Sequence, residues 1–356
     1  METNENNLDD QNQPLINKEV TEMSEPIMEI KEEEFVPESR IKLQRLQTKV
    51  ADVKTEIQKL IIGQHEMIDQ ILLGVLSCGH VLIEGVPGIA KTLTAKIIAK
   101  TLNVNFSRIQ FTPDLMPSDV IGTSVFNVKT SEFTFKKGPI FSNTILIDEI
   151  NRAPAKTQAA LFEAMEERQI TVDGATYKMD PPFFIIATQN PIEQEGTYRL
   201  PEAQLDRFLF KIKLHYPEIN DEIEILKRFK NNIRDLTLDD IKPVISTADI
   251  DEFQGVIEEV KIEDQLIEYI AKIVNETRSH ARLFLGASPR ASLSILKASK
   301  TMAAIRGRDF VTPDDIQYIC NPVLNHRIIL TPEAEMEGMS PEDVIAEIVQ
   351  KLEVPR

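Results

Sequence analysis

The sequence predicts an α/β fold in which a parallel β-sheet is covered by helices, followed by an all-helical domain. Short apolar runs that end in polar residues recur along residues 39–216, as expected of strands buried on both faces. A glycine-containing loop joins the first of these runs to a helix-like segment. Beyond Pro217, apolar residues recur at helical spacing and strand-like runs are expected to stop.

The size and charge of the chain limit its function classes. Its 356 residues suffice for two domains with tails. A formal net charge of -17 argues against a broad surface for the phosphate backbone of nucleic acids, although it does not exclude a local basic patch. No apolar run reaches the roughly 18–20 residues of a membrane helix, and no signal-peptide pattern opens the chain, so we expect a cytoplasmic protein. Cys78, Cys320 and the five histidines show no metal-ligand spacing.

Three regions are predicted along the chain. Residues 1–38 are rich in Glu, Asp, Asn and Gln and have too few apolar groups to offset the entropy of ordering, so we predict a disordered acidic tail. Solubility and partner docking both stay open as its role. Residues 39–216 form the α/β core, and residues 217–356 form the helical domain with a C-terminal helix.

Two amphipathic helices open the core. Apolar residues at alternating spacings of three and four predict a helix that ends near residues 62–64, and its stripe consists of Leu43, Leu46, Val50, Val53, Ile57 and Leu60. A second helix with the same spacing covers about residues 67–76. It leads into the first strand.

The glycine loop reads Gly-Val-Pro-Gly-Ile-Ala-Lys-Thr from residue 85 to residue 92. Strand, glycine loop, Lys-Thr and helix are the phosphate-binding arrangement of P-loop nucleotidases. Amide groups around Gly85 and Gly88 would face a phosphate chain at a helix N-terminus. Lys91 would reach the β- and γ-phosphates, and the Thr92 hydroxyl would hold Mg²⁺. A glycine-rich helix cap without a ligand is the alternative.

The whole loop is therefore predicted to contact nucleotide, through Gly85, Val86, Pro87, Gly88, Ile89, Ala90, Lys91, Thr92 and Leu93. Ala90 stands where glycine usually precedes the lysine, so we predict a negative φ at this residue. In an ATPase of this type, Ile62 and Gly63 would lie beside the adenine, where apolar side chains and free backbone groups suit a purine. A plain connection between two helices is the alternative for that turn.

An acid pair closes the next buried strand. Residues 106–111 read as a short strand, and residues 112–128 as an inserted loop or short helix because Pro113, Pro117 and Gly122 interrupt them. The run 144–147 then ends in Asp148 and Glu149. At the carboxyl end of a parallel strand, Asp148 can hold Mg²⁺ through water, and Glu149 can orient or polarise the attacking water.

Polar residues and arginines complete the predicted core. A helix to about residue 167 precedes a hairpin over residues 169–182 whose turn is Asp173-Gly174. The strand 183–187 leads to Asn190, which could sense the γ-phosphate or simply form a turn.

Arg207 follows a short helix, and no local carboxylate obviously pairs with it. In a ring of subunits it could reach the neighbour's γ-phosphate, with Arg152 and Arg199 as weaker candidates.

The helical domain offers one site element. Ser288, Pro289 and Arg290 begin a predicted helix, with Ser288 as N-cap, and so aim a cation and a helix N-terminus at the same anion. A plain surface arginine is the alternative. Further helices are predicted from Thr312 and Pro341.

These motifs together closely resemble the MoxR family of AAA+ ATPases over about residues 40–352. The resemblance rests on the glycine loop with Lys91 and Thr92, and on the segments 147–152, 187–191, 200–208 and 286–290. An alanine at position 90 is usual in that family. The resemblance implies a P-loop AAA+ αβα core with a five-stranded parallel sheet and an all-helical lid, an insert near residues 112–128 and a hairpin at residues 169–182.

The family's functional residues map by resemblance onto matching positions. Walker A corresponds to Lys91 and Thr92, Walker B to Asp148 and Glu149, sensor 1 to Asn190, the arginine finger to Arg207 and sensor 2 to Arg290. The resemblance further implies ATP and Mg²⁺ as ligands and a hexameric ring of identical subunits. It also implies chaperone activity that matures or activates partner proteins, often ones with von Willebrand factor A domains.

Two other functions would use the same ATP site. A nucleic-acid motor is expected to carry Lys or Arg at the tip of the hairpin, but residues 172–176 contain neither, so a protein client is favoured. A motor subunit of a metal-chelatase complex would need a dedicated partner chain. Whether Arg290 serves its own subunit or a neighbour stays open at this point.

Overall fold

The structure is a computed structural model that describes residues 38–355 apart from Pro87, Ile89, Thr130, residues 191–199, His215 and residues 232–236. The predictions for the acidic tail before Glu38, for Pro87 and Ile89 in the loop, and for Arg199 lie outside the described residues.

The first part of the chain alternates helices and strands. In order they are α1 (Glu38–Gln58), α2 (His65–Leu76), β1 (Val81–Glu84), α3 (Lys91–Thr101), β2 (Phe106–Gln110), α4 (Pro117–Ile121), β3 (Gly122–Asn127), β4 (Glu132–Lys137), β5 (Thr144–Asp148), α5 (Ala155–Glu167), β6 (Gln169–Val172), β7 (Ala175–Lys178), β8 (Phe184–Gln189), α6 (Glu202–Leu205) and β9 (Phe210–Lys213).

The remainder is mainly helical, and we call it the lid. Its elements are α7 (Ile219–Asn231), α8 (Thr247–Glu259), α9 (Asp264–Ser279), β10 (Leu283–Leu285), α10 (Pro289–Ile305), α11 (Pro313–Leu324), β11 (Ile329–Leu330), α12 (Pro332–Met336) and α13 (Pro341–Lys351). Helices α8, α11 and α13 each begin with a capping box, in which a Ser or Thr and an Asp satisfy each other's backbone N–H groups.

Five parallel strands form the central sheet of the described chain, in the order β2, β5, β8, β1, β9, which confirms the predicted sheet. Because all five strands point the same way, the segments that follow them leave from one edge, here called the carboxyl edge. The segments that enter them lie at the opposite, amino edge. A strand of four residues such as β1 separates the two edges by about 13 Å.

Successive residues of the central strands face opposite sides of the sheet and enter two hydrophobic clusters. Leu146 and Ile186 belong to the cluster that also contains the buried residues of α1, α2, α3 and the lid. Ile145 and Ile147 belong to the other cluster, with Leu161 of α5. Each fully buried side chain of this kind stabilises the fold by about 1.5–3 kcal/mol. The sheet is therefore covered on both faces, as an αβα core requires.

The insert between β2 and β5 differs from the prediction in part. Helix α4 is the expected short helix, but β3 follows it and pairs with β4 as an antiparallel hairpin, with Gly122 opposite Lys137. Periodicity missed this hairpin because its strands have largely exposed side chains on both faces. The hairpin predicted at Asp173 and Gly174 is confirmed, and both turn residues have positive φ.

The expectation that strands stop beyond Pro217 is wrong at one place, where β10 and β11 form a short antiparallel pair. Runs of three and two residues are too short for a periodic signal, and only the fold brings them together. In the described part of the chain, no helix is both long and apolar enough to cross a bilayer.

Candidate active site at the carboxyl edge

The glycine loop follows β1 at the carboxyl edge, and the lysine at its end bonds back to the start of the loop. Lys91 is the first residue of α3, and its Nζ donates to the Gly85 carbonyl oxygen at 2.6 Å. The Gly85 N–H donates at 3.3 Å to the carbonyl of Gln189, the last residue of β8. The loop is therefore tied to the neighbouring strand, and the lysine ammonium lies over the backbone of the loop.

The predicted negative φ of Ala90 is wrong, because this residue is left-handed with φ 57° and ψ 21°. Its carbonyl already accepts the first helical hydrogen bond, from the Thr94 N–H at 2.9 Å, while its own backbone still has to reverse out of the loop. The tight turn from Gly88, which has φ 91°, into α3 overrides the local preference of an alanine. A left-handed alanine costs about 1–2 kcal/mol.

The proposed adenine turn lies between α1 and α2. Ile62 is half-buried, and Gly63 has φ 67°, which favours glycine. A β-carbon at position 63 would collide with the carboxylate of Asp221 in the first turn of α7. The backbone conformation therefore favours glycine here, whereas the Asp221 side chain could move to make room for a β-carbon.

The acid pair lies at the carboxyl edge, as its position after β5 predicts. Asp148 is 7% exposed, and its Oδ1 accepts the Thr188 hydroxyl at 3.2 Å. The same Thr188 oxygen accepts the Glu149 N–H at 3.1 Å. Glu149 is left-handed with φ 57°, and such strain in a non-glycine residue is found preferentially at functional sites. Thr188 of β8 therefore contacts the carboxylate of Asp148 and the backbone of Glu149.

Two polar residues of β2, the outermost strand next to β5, contact the same acids. The Arg108 Nε donates to Asp148 Oδ2 at 2.6 Å, and the Gln110 Nε2 donates to Glu149 Oε2 at 2.9 Å. Arg108 Nη2 also donates to Gln110 Oε1 at 3.1 Å. Sequence reasoning missed both residues, although their spacing of two places them on one face of the strand.

Arg152 and Asn190 also lie at this edge. Arg152 pairs through Nε with Glu149 Oε2 at 3.1 Å, so it contacts an acid of its own subunit rather than projecting away. Asn190 directly follows β8, which lies between β1 and β5. The position of Asn190 is therefore next to both the loop and the acid pair.

The donor set at this edge fits a phosphate-bound Mg²⁺. Mg²⁺ in phosphate-transfer sites is typically held by one or two protein oxygens together with phosphates and waters, and Thr92 and Asp148 supply a hydroxyl and a carboxylate. Within the described residues, no group of three or more His, Cys, Asp or Glu could hold a metal by itself. A metal here would therefore depend on the phosphates of a nucleotide.

The two remaining predicted arginines share one carboxylate elsewhere in the core. Arg290, at the start of α10, donates from Nη2 to Glu166 Oε1 at 2.7 Å. Arg207 pairs through Nε with Glu166 Oε2 at 3.8 Å and donates to the Phe162 carbonyl. Sequence reasoning considered only local carboxylates for Arg207, whereas Glu166 comes from α5, which is distant in sequence. Ser288 is the N-cap of α10, but its hydroxyl donates to Asp206 instead of capping the helix.

This arginine pair lies at the amino edge of the sheet. Met165, next to Glu166, has its carbonyl 3.3 Å from Nε2 of His80, which directly precedes β1. Arg207 lies three residues before Phe210, the partner of Val81 at the start of β1. The loop and the acids lie at the other edge, so the structure separates Arg207 and Arg290 from the remaining predicted site residues of the same chain.

Two family patterns match the chain. Residues 80–210 match the ATPase family associated with various cellular activities (AAA), and residues 275–348 match the AAA lid domain. The chain is 44% identical over 310 residues to Chaperone MoxR1 of Mycobacterium tuberculosis, which covers 85% of this chain and 81% of that protein. It is 46% identical over 299 residues to the Bacillus subtilis protein YeaC, which covers 84% of this chain and 92% of that protein.

A solved structure shares the fold. The crystal structure of a candidate ATPase from Cytophaga hutchinsonii superposes with a TM-score of 0.83 at 43% sequence identity. The match covers 89% of this chain and 98% of that chain. The core and the lid of the present structure are therefore found together in this relative as well.

Proposed function

Because the chain belongs to the MoxR family of AAA ATPases, we propose that it uses Mg-ATP hydrolysis to remodel, mature or activate partner proteins in the cytoplasm. The chain is an ATP-hydrolysing enzyme of that family. The carboxyl edge of its sheet supports this proposal, because loop amides, an ammonium group and two acids are gathered there, as the chemistry of phosphoryl transfer requires.

Each group at this edge has a proposed role. The amides of residues 85–93 and Lys91 bind the phosphates, and Ile62 and Gly63 contact the adenine. Thr92 and Asp148 hold Mg²⁺, which neutralises charge on the β- and γ-phosphates. Glu149 orients the attacking water and accepts its proton, and Asn190 contacts the γ-phosphate. The backbone bond of Glu149 to Thr188 and the bond from Gln110 to its carboxylate support a fixed position for this carboxylate.

Arg207 and Arg290 are proposed to act on the nucleotide of a neighbouring subunit. About 13 Å of strand, together with the loop, separates them from the phosphate site of their own chain. Both contact Glu166, so both are held where one external anion could replace that carboxylate. A closed ring, which we propose to be hexameric, would deliver the two guanidinium groups of one subunit to the γ-phosphate of the next.

Subunit mixing tests this arrangement. Arg207→Ala should keep ATP binding but lose turnover, and Lys91→Ala should lose nucleotide binding. When the two inactive variants are mixed, an intact loop meets an intact arginine at some interfaces, so phosphate release should reappear. We expect the mixture to release phosphate faster than the two separate variants added together. If it does not, at concentrations where assemblies form, the proposed role of Arg207 is contradicted.

The exposed insert hairpin supports a protein client. Phe126 and Phe133 are cross-strand partners on one face of this hairpin, and both side chains are exposed. The Phe126 and Phe133 rings are 5.2 Å apart. An exposed aromatic pair of this kind suits an unfolded or partly folded polypeptide rather than a phosphate backbone. Proteins with von Willebrand factor A domains are the proposed clients, from the family resemblance.

The nucleic-acid alternative predicts a different response. The turn of the β6–β7 hairpin carries Asp173, whose carboxylate accepts the Ser124 hydroxyl at 2.5 Å, so an acid rather than a base occupies its tip. ATP turnover that rose strongly with DNA at physiological salt would favour a nucleic-acid motor. A dedicated partner chain that stimulated turnover only during metal insertion would favour the chelatase alternative.

The client itself can be captured with an ATP-trapped form. Glu149→Gln should retain ATP and its client, and proteins that it captures should be lost when Phe126 and Phe133 are both changed to serine. Lys91→Ala serves as the control that cannot load ATP. Equal capture by all three forms would contradict an ATP-dependent client contact at this hairpin.

A further inference from the structure

A turn of the lid forms hydrogen bonds to the segment that carries Arg207. Arg327 lies between α11 and β11, and its side chain is 2% exposed. Its Nε donates to Asp206 Oδ1 at 2.8 Å, and its Nη2 donates to the carbonyls of Asp206 at 3.1 Å and Phe208 at 2.6 Å. Its Nη1 donates to the Leu209 carbonyl at 3.1 Å. One guanidinium therefore holds the backbone on both sides of Arg207.

The two residues before Arg327 extend this contact. The His326 Nε2 lies 3.1 Å from the Phe208 carbonyl, and the Asn325 Nδ2 donates to the Lys211 carbonyl at 3.0 Å. Burial holds the pKa of His326 well below its usual range, so the ring is neutral. Three consecutive lid residues thus contact the short segment that leads from α6 into β9.

Asp206 connects this turn to the second arginine. Its Oδ1 accepts from Arg327, and its Oδ2 accepts the hydroxyl of Ser288 at 2.9 Å. Ser288 is the N-cap of α10, and Arg290 is the second residue of that helix. One carboxylate therefore links the element that carries Arg207 to the element that carries Arg290.

Burial makes this contact sensitive to geometry. A buried guanidinium is tolerated only when its N–H groups are satisfied, since an unpaired buried charge is strongly unfavourable. Burial lowers the pKa of Arg327, and Asp206 opposes that shift. Since the acceptors include the backbone carbonyls of residues 206, 208 and 209, a displacement of the lid turn would break several bonds around Arg207 at once.

We propose that Arg327 is the positioning residue of Arg207, and that through Asp206 the lid of each subunit controls hydrolysis at the nucleotide of its neighbour. This inference rests on the proposed action of Arg207 between subunits. A shift of the lid turn at Arg327 would move the 206–209 segment, and Arg207 would then leave its position for the adjacent site.

The test separates this role from plain stability. Arg327→Met keeps the side-chain volume but removes every donor, and kcat should fall by about a hundredfold, as expected for misplacement by about 1 Å, with ATP affinity unchanged. Arg308→Met is the matched control, because Arg308 pairs with the fully buried Asp315 within the same lid and has no contact with residues 206–211. Its kcat should stay within about twofold of the wild type.

Mixed assemblies supply a result that a purely structural role would not produce. Folded Arg327→Met subunits retain an intact phosphate site, so mixing with Lys91→Ala subunits, whose Arg207 is well positioned, should restore turnover. If Arg207→Ala recovers in the same mixture and Arg327→Met does not, the positioning role is wrong while the proposed function stands. If neither recovers, action between subunits fails, and the inference fails with it.

A milder variant covers the case in which Arg327→Met does not fold. Asp206→Asn retains an oxygen acceptor and weakens only the charge, so it should fold and show a smaller loss of kcat that is also restored by mixing. Wild-type kcat in folded Asp206→Asn and in folded Arg327→Lys, which cannot contact all three carbonyls, would overturn the proposal.

Discussion

Arg108 donates from Nε to Oδ2 of Asp148 at 2.6 Å, so the carboxylate that we assign to Mg²⁺ is paired with a cation of its own chain. The contact comes from β2, which lies next to β5 in the sheet. Arg108 is about half exposed, and the pair is therefore screened by solvent. A positive charge at this distance nevertheless opposes the binding of a second cation.

Removing that charge should strengthen metal binding. In Arg108→Met, the Mg²⁺ concentration for half-maximal ATPase activity should fall by up to about fivefold, which corresponds to about 1 kcal/mol. Magnesium titrations of steady-state turnover measure this shift. Lys272→Met, which removes one positive charge from the exposed surface of α9, is the control and should leave the midpoint unchanged. A higher midpoint in Arg108→Met would instead assign the arginine to the phosphates.

Glu149 should be needed for the chemical step but not for binding. Glu149→Gln keeps the side-chain shape and can still accept from Gln110, but it is a poor proton acceptor. We expect kcat to fall by about 10²- to 10⁴-fold while the Kd for ATP changes little. Stopped-flow binding of a fluorescent ATP analogue measures the Kd, and phosphate release measures kcat. Glu333→Gln on α12 controls for loss of an exposed acid, and normal turnover in Glu149→Gln would remove the residue from its role.

The left-handed Ala90 should respond in opposite ways to a smaller and a larger side chain. Ala90→Gly relieves about 1 kcal/mol of strain but increases the freedom of the unfolded chain by a similar amount, so the free energy of unfolding should change by less than about 1 kcal/mol. Ala90→Val places a β-branched residue in the same conformation and should destabilise the protein and weaken ATP binding.

Chemical denaturation and ATP titration measure both changes at position 90. Ala51→Val, on the exposed face of α1, reports the cost of valine in an ordinary helix, about 0.6 kcal/mol. If Ala90→Val cost no more than this control, the result would contradict a left-handed backbone at position 90.

Buried His80 should make stability depend on pH. Burial lowers its pKa to about 4, and its Nδ1 accepts the Ile185 N–H at 3.1 Å, so the folded ring is neutral. The unfolded ring titrates near pH 6.5 and therefore binds the proton first as pH falls. Stability should be fully present above about pH 6.5 and should fall between pH 6.5 and 4, by about 3 kcal/mol for this group.

Urea unfolding at pH 7 and pH 4 measures this loss. In His80→Asn, which keeps an acceptor for Ile185, the pH dependence should be shallower by about the same amount. His65→Asn, at an exposed position, should retain the wild-type slope. An unchanged slope in His80→Asn would show that other groups dominate acid unfolding.

Local patterns were sufficient for most of the fold and for the groups at the carboxyl edge. Each apolar strand ends in the polar residues that matter, and parallel strands bring those ends to one edge whatever their order in the chain. For this reason the sequence predicts that Lys91, Asp148, Glu149 and Asn190 lie together. The sequence predicted the backbone conformation of Ala90 wrongly, because closure of the loop, rather than the preference of alanine, decides it.

What the amino-acid sequence alone determined is the class of chemistry and the strands that present it, since both depend on residue type and short-range spacing. Only the tertiary structure decided which groups meet across the chain. Arg108 contacts Asp148 through strand pairing, Glu166 receives Arg207 and Arg290, and Arg327 holds Asp206. Each contact joins residues far apart in sequence, and a carboxylate accepts whichever cation the packing of helices and strands brings within hydrogen-bonding distance.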